Sequence, residues 1–322
     1  MKYILEGFWG VGKTTFLSSQ YNQESIFFEP HHQEYISTQD QEEISQWYLD
    51  THRLRFTEFV SVDGNAILER SVLSSMAFQY AHQHHISPTR WQSSIQDMHD
   101  YQAGNGLLVI VLYTDYHLLP EYIKQVYSQQ FFDRYMEFYR VHLPYIFGIV
   151  PTFIKVHDEE ENRLTEEAIN QHIQAIYSHN RIGQINIVLY RIINNIPEFL
   201  VLQRNPQKGS FWQSITGGIH MQGSLQDNAL RELREELSLD GNPEYLRQTE
   251  YVFCYCGGEG YELTEYVLGY EIQPEDSIAL SDEHVAWEYL PYQEAVEKVK
   301  YEGNKQAILT LYKTIIQELG TL

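Results

Sequence analysis

The sequence predicts an α/β domain built on a parallel sheet over residues 1–180, followed by an α+β domain with a mixed sheet over residues 181–322. Three observations carry this expectation. The chain has 322 residues, close to twice the ~150 typical of a single domain. Its first half alternates short apolar runs with longer stretches of helical spacing, the pattern of strands joined by covering helices. Its second half changes to alternating, β-rich runs interrupted by two helical stretches.

In the first half, residues 3–5, 25–28, 66–68, 107–112 and 152–156 read as short buried strands. Residues 42–59 and 71–84 have helical spacing. A closing helix is expected at 164–177, LTEEAINQHIQAIY, with Thr165 as its cap. The domain boundary then falls around 178–184. Beyond it, residues 185–192, 198–204, 249–257 and 261–272 read as strands, 211–216 is strand-like, and 227–237 and 304–319 are helical. No internal repeat or low-complexity tract interrupts the pattern.

Composition narrows the function classes. The net charge of −22 opposes the phosphate backbone of DNA or RNA, so no nucleic-acid partner is expected. With 43% hydrophobic, 14% aromatic and 20% charged residues, the chain has the profile of a folded protein. Cys254 and Cys256 provide neither a disulfide framework nor a four-ligand zinc site, and are expected to be packing residues in a strand. The amino-terminal apolar run is broken by Glu6, and no stretch reaches the ~18 apolar residues of a membrane span. A cytoplasmic protein with no membrane partner is the expectation.

Gly7-Phe8-Trp9-Gly10-Val11-Gly12-Lys13-Thr14 fits G-x-x-x-x-G-K-T, after an expected strand and before an expected helix. In that context the glycines let backbone N–H groups turn inward around a phosphate, Lys13 neutralises terminal phosphate oxygens, and Thr14 offers a hydroxyl to Mg²⁺. Gly7, Gly10, Gly12, Lys13, Thr14 and Thr15 are the expected ATP-binding set. Glu29 follows the second strand, where an acceptor would bind, and could take a proton from an attacking hydroxyl. Glu69 and Arg70 follow the third strand, the first suited to orient Mg²⁺ and the second to clamp phosphoryl oxygens.

At these residues, over roughly 1–180, the sequence resembles the deoxynucleoside kinases and thymidylate kinases. The Glu29-Pro30 pair and the Glu69-Arg70-Ser71 run look like the nucleoside-kinase motifs. The resemblance implies that the glutamate acts as base and the arginine contacts phosphates. Thymidylate kinases usually carry arginine before the Glu-Pro pair, where this chain has Phe28, which favours a nucleoside acceptor over a monophosphate. The family's arginine-rich lid is thin here: residues 115–140 contain only Lys124, Arg134 and Arg140. Trp47, Tyr48, Arg53 and Arg55 lie on the helix that lines the base pocket in that family. Taken alone they read equally as a packed aromatic face with two solvated arginines.

In the second half, Glu232, Glu235 and Glu236 stand at i, i+3 and i+4 and project from one helix face. Leu230, Leu233 and Leu237 form the adjacent apolar stripe. Hard carboxylate oxygens in that arrangement select Mg²⁺ or Mn²⁺. The alternative is a solvated acidic face with Arg231 and Glu235 as an ordinary ion pair. Gly217-Gly218 lies upstream, and together these residues resemble the Nudix box of hydrolases that cleave diphosphate linkages with metal-activated water. FWQSITGG, LSDEHVAWEYL and NKQAI resemble dihydroneopterin triphosphate and deoxynucleoside triphosphate pyrophosphohydrolases in particular. The resemblance implies Glu232, Glu235 and Glu236 as metal ligands, and Glu283 as a further ligand or base. The box departs from its pattern in a loop one residue short, in Ser224 where glutamate is usual and in Ser238 where glycine is usual.

The combined expectation is a two-centre enzyme of nucleotide metabolism, an ATP-dependent nucleoside kinase joined to a Mg²⁺-dependent pyrophosphohydrolase. Its partners would be nucleosides and nucleotides, and a homodimer is compatible with the sequence. The rivals are a monophosphate (thymidylate-type) kinase in the first half, or a sensor that binds nucleotides without turnover.

Overall fold

The computed structural model describes residues 1–21, 25–256 and 262–320. The chain divides into two compact units: Met1–Ile182 with Cys256–Glu262, and Gly183–Tyr255 with Leu263–Leu322.

The first unit runs β1 (Lys2–Gly7), α1 (Lys13–Gln20), β2 (Ile26–Phe27), α2 (Gln41–Ser61), β3 (Ala66–Glu69), α3 (Val72–Gln83), α4 (Pro88–Asn105), β4 (Val109–Tyr113), α5 (Glu121–Lys124), α6 (Gln129–Glu137), α7 (Leu143–Phe147), β5 (Pro151–Lys155) and α8 (Glu166–His179). Its sheet is parallel, in the order β2-β3-β1-β4-β5. The apolar strands β3 and β4 are buried along their whole length because helices cover both faces, which a parallel sheet requires. Parallel register brings the carboxyl ends of three strands together, since Leu5 pairs with Glu69 and Phe27 with Leu68. Gly7, the last residue of β1, and the segments that follow β2 and β3, carrying Glu29 and Arg70, therefore lie side by side at the carboxyl end of the sheet.

Local caps explain the helix ends. Thr165 accepts the Ala168 N–H and starts α8, and Ser71 accepts the Leu73 N–H and starts α3. The 18-residue α4 was not among the expected helices because its surface is strongly polar. Its signal is present all the same: Pro88 in the first turn, then buried Trp91, Ile95 and Met98 at helical spacing. The aromatic stretch after Ser128 is helical but passes through a π-helical turn at Phe138–His142 before α7.

The second unit runs β6 (Gly183–Ile193), β7 (Ile196–Arg204), β8 (Trp212–Gln213), β9 (Ile215–Ile219), α9 (Leu225–Leu237), β10 (Leu246–Cys256), β11 (Glu262–Glu271), β12 (His284–Pro291), α10 (Tyr292–Lys298) and α11 (Glu302–Glu318). Its seven-stranded sheet is mixed. β11 pairs with β6 in parallel, whereas β6–β7, β6–β9, β7–β8 and β7–β12 are antiparallel. Val188, Tyr190, Phe199, Val201 and Val267 from the sheet pack against Ala307, Ile308, Leu311 and Ile315 of α11. Of the residues expected in strands, Gly257 and Tyr261 lie outside the described residues, as does the Cys256 side chain. Cys254 is exposed. The packing role expected for it is corrected: the residue is exposed on β10, with its sulfur 3.6 Å from the Thr264 hydroxyl.

Helix α9 is built from its own sequence. Ser224 caps it, accepting the Asp227 N–H while Asp227 accepts the Ser224 N–H, so the serine that replaces the usual glutamate closes a capping box. Leu225, Ala229, Leu233 and Leu237 form the buried stripe. Ser238 ends the helix with φ +52°, a left-handed conformation that costs a non-glycine residue about 1 kcal/mol. No helix among the described residues is long and apolar enough to cross a membrane.

Candidate active sites

In the first unit, the turn from β1 to α1 is shaped by Gly10 (φ +80°) and Gly12 (φ +85°), both in backbone space that favours glycine. Lys13 opens α1 and is buried, its Nζ donating to the carbonyls of Gly7 at 2.8 Å and Phe8 at 3.0 Å. Burial, and then the nearby Arg70 charge, pull its pKa from 10.5 down to about 7, against the carboxylates of Glu69, Glu6 and Glu29. Thr14 donates to Glu69 at 2.7 Å, so the fold joins the two residues expected to orient Mg²⁺. Thr15 follows on the exposed side of the same turn.

Arg70 is buried at φ +56°, a strained conformation for a non-glycine residue. Its Nε lies 3.3 Å from Glu29 Oε2, and its guanidinium sits 4.7 Å from the Trp9 ring centre. The candidate base and the candidate phosphate clamp are thus already a pair. His52 stacks on Tyr48 and brings its Nε2 to 3.8 Å from Glu29 Oε1. Burial and the two neighbouring arginines hold His52 well below the ordinary histidine range, which keeps it neutral. Arg55 is buried and donates to the carbonyls of Phe27, Glu69 (2.6 Å) and Arg70 (3.1 Å). It ties the ends of β2 and β3 together, which corrects the alternative in which it was a solvated arginine. Arg53 is exposed and donates to Ser93.

Beneath these groups, Glu6 on β1 accepts from the Ser71 N–H (2.8 Å), the Ser71 and Ser74 hydroxyls and Tyr139 (2.9 Å). This binds the start of α3 to β1, so that Arg70, one residue earlier, is held from both sides. Sequence reasoning missed Glu6 and Arg163. Arg163 lies between β5 and α8, donates to the Val11 carbonyl at 3.1 Å, and fills the space a side chain on Gly12 would need. Its setting in DEEENR reads as a solvated charge run, and only the return of β5 to the sheet edge brings it to the loop. Of the expected lid cations, Lys124 pairs with Glu121 and Arg140 lies over the rings of Tyr113 and Phe153.

In the second unit, Gly217 and Gly218 lie in β9, paired with Ile185 and Gln184. A Cβ at Gly217 would overlap the Glu232 carboxyl group, so glycine there makes the notch in which that buried carboxylate rests. Burial pushes the Glu232 pKa up. The Arg231 charge and hydrogen bond oppose this, and Glu235 and Glu236 reinforce it. Glu235 is exposed and pairs with Arg231 at 2.8 Å. Glu236 accepts from Ser281 at 2.6 Å and from His284 Nδ1 at 3.1 Å. Burial raises its pKa too, but the hydrogen bonds from His284 and Ser281 outweigh it and hold the carboxylate below the usual range. Glu283 pairs with Arg204 at 3.0 Å and Lys208 at 2.6 Å, and its N–H donates to the Ser281 hydroxyl that also serves Glu236.

The chemistry of this donor set fits a hard divalent cation, with three carboxylates on one face and one of them seated in a glycine notch. In the arrangement seen, no three acidic, histidine or cysteine side chains among the described residues converge closely enough to hold an ion. Arg231 stands between Glu232 and Glu235 instead.

Residues 184–311 match the family model of the NUDIX domain. Among solved structures, the chain is similar to a NUDIX hydrolase from Listeria monocytogenes (21% identity, 42% of this chain and 95% of that one, TM-score 0.38). It is similar to the Escherichia coli dihydroneopterin triphosphate pyrophosphohydrolase (24% identity, 41% and 95%, TM-score 0.36). It is also similar to the NUDIX domain of Shewanella oneidensis NrtR, solved with ADP-ribose (16% identity, 42% and 88%, TM-score 0.35). Among curated proteins, an octanoyltransferase from Myxococcus xanthus is 24% identical over 152 residues, 44% of this chain. The chain covers 42% of that relative's length.

Proposed function

We propose, from the Nudix domain at residues 184–311, that the second unit hydrolyses a diphosphate linkage in a nucleotide-like compound, and that the first unit transfers a phosphoryl group from ATP to a nucleoside. The observation that carries the hydrolase reading is the Glu232 carboxylate seated in the Gly217 notch, with Glu235 and Glu236 on the same helix. Glu232, Glu235 and Glu236 would hold the Mg²⁺ or Mn²⁺. When bound, that ion supplies the Lewis acid that neutralises diphosphate oxygens and activates water. The chain's own residues do the positioning: Ser281 and His284 fix Glu236, and the Ser224 capping box fixes the start of the helix.

The kinase reading is supported by the grouping of Lys13, Thr14–Glu69 and Glu29–Arg70 at the carboxyl ends of β1, β2 and β3. Glu29 would accept the proton of a nucleoside hydroxyl, and Arg70 would leave Glu29 for the phosphoryl oxygens as charge moves onto them. Phe28 beside Glu29 favours a neutral nucleoside, because an acceptor phosphate brings about two charges that need cationic partners.

The test uses the full chain with ATP, nucleosides, monophosphates and triphosphates in Mg²⁺ or Mn²⁺. Lys13→Ala should abolish phosphorylation and spare hydrolysis, and Glu232→Gln should do the reverse by about 100-fold or more. A parent protein inert towards every nucleotide would overturn both readings in favour of a binding-only sensor. Faster turnover of a monophosphate than of its nucleoside would move the first unit to the thymidylate-type reading.

A further inference from the structure

We infer that Arg231 is a built-in counter-cation of the carboxylate helix, occupying the position that a divalent ion must take and leaving it when the ion binds. The inference rests on the reading of Glu232, Glu235 and Glu236 as metal ligands. One guanidinium nitrogen, Nη1, lies 2.8 Å from Glu232 Oε1 and 2.8 Å from Glu235 Oε2. The other, Nη2, donates to the Gly218 carbonyl at 2.6 Å and to Asn228 Oδ1 at 3.3 Å. Two carboxylates and a backbone carbonyl are the hard oxygen donors a Mg²⁺ or Mn²⁺ ion would use, and here a single planar cation collects them.

The two cations exclude each other on charge and on space. A divalent ion sits about 2.0–2.2 Å from its oxygens, so an ion shared by Glu232 and Glu235 would lie within a few ångströms of the guanidinium, where like charges repel strongly. The carboxylate lone pairs that Arg231 engages are the ones the ion needs. Glu236 lies outside this competition, because Ser281 and His284 hold it on its other side. Arg231 can leave: its side chain is 26% exposed, while Glu232 beside it is 6% exposed and fixed in the Gly217 notch. Without an ion, the single charge of the arginine offsets part of the repulsion between Glu232 and Glu235, one turn apart on the helix. With an ion, the freed guanidinium becomes available to an anionic substrate.

The experiment measures Mn²⁺ binding to the full chain without nucleotide, by calorimetry and by electron paramagnetic resonance of free Mn²⁺. It compares the parent with Arg231→Gln, Arg231→Lys and Glu232→Gln, and checks each fold by circular dichroism. The site is identified as the Mn²⁺ binding that Glu232→Gln removes. Arg231→Gln should tighten that binding about tenfold or more by removing the competing charge. Arg231→Lys should fall between, because an ammonium keeps the charge but lacks the second nitrogen that anchors the guanidinium to the Gly218 carbonyl and Asn228, and it carries the test if the glutamine variant misfolds. Unchanged or weaker binding in both arginine variants would overturn the inference while leaving the metal site standing, since Arg231 would then be orienting the ligands. Absence of any Mn²⁺ binding that depends on Glu232, in every protein tested, would remove the metal reading itself and this inference with it.

Discussion

Replacing Lys13 by methionine should make the first unit more stable in the absence of nucleotide, and the gain should shrink as pH rises. Lys13 is buried, with its pKa drawn from 10.5 down to about 7 by desolvation and by Arg70. A fall of that size corresponds to burial cost on the order of 5 kcal/mol for the charged form, at ~1.36 kcal/mol per pH unit. The sign follows from the folded value lying below the unfolded one. Below about pH 7 both states carry the proton and the folded state bears the full cost. Between about 7 and 10.5 only the unfolded state holds the proton, so the parent's stability climbs with pH. Methionine has no such dependence. It leaves the Gly7 and Phe8 carbonyls without their donor, an offset of ~1–3 kcal/mol that does not change with pH. The stability of Lys13→Met relative to the parent should therefore fall by about 2 kcal/mol between about pH 6.5 and 8.5. Urea unfolding across that range measures it, with hydrogen exchange of β1 and β4 peptides identifying the first-unit transition. A difference flat to within about 0.5 kcal/mol would refute the reasoning and show that the lysine is solvated and charged throughout.

Two further outcomes concern the second unit. Gly217→Ala pushes a methyl group into the Glu232 carboxylate and should cost about 1–3 kcal/mol of stability while displacing that ligand, so hydrolysis falls with it; full activity in the alanine variant would mean that the notch has no role. Glu236 is held below its ordinary pKa, so its hydrogen bonds add stability above that ordinary value and lose it as pH falls through the lower folded value. Ser281→Ala should accordingly cost about 1 kcal/mol near neutrality, with the difference from the parent fading in acid; a deficit that persists unchanged at low pH would assign the loss to packing instead.

Features that depend on neighbours in the chain were legible before the structure. The strand, glycine loop and helix of residues 2–20 are specified within one short segment, as are the Thr165 cap and the i, i+3, i+4 spacing of Glu232, Glu235 and Glu236. Helix α4 had a readable stripe in Trp91, Ile95 and Met98, masked by its polar composition. The parallel first sheet and the mixed second sheet followed from where apolar runs alternate with helical spacing and where they do not.

The partners of the candidate site residues were decided by tertiary structure. Arg55 reads as one more charge on an exposed helix, yet it clamps the ends of two strands. Arg163 belongs to a charge run and reaches Val11 across 152 positions. Glu6 interrupts an apolar strand and organises the start of α3 from 65 positions away. Ser281 and His284 hold Glu236, while Arg231, one turn from Glu235, stands between Glu232 and Glu235. The physical reason is the same throughout. Periodicity and caps arise from backbone geometry repeated over a few residues, so local sequence determines them. A buried charge must find its counter-charge wherever the sheet order and register deliver one, and that delivery exists only once the chain has folded.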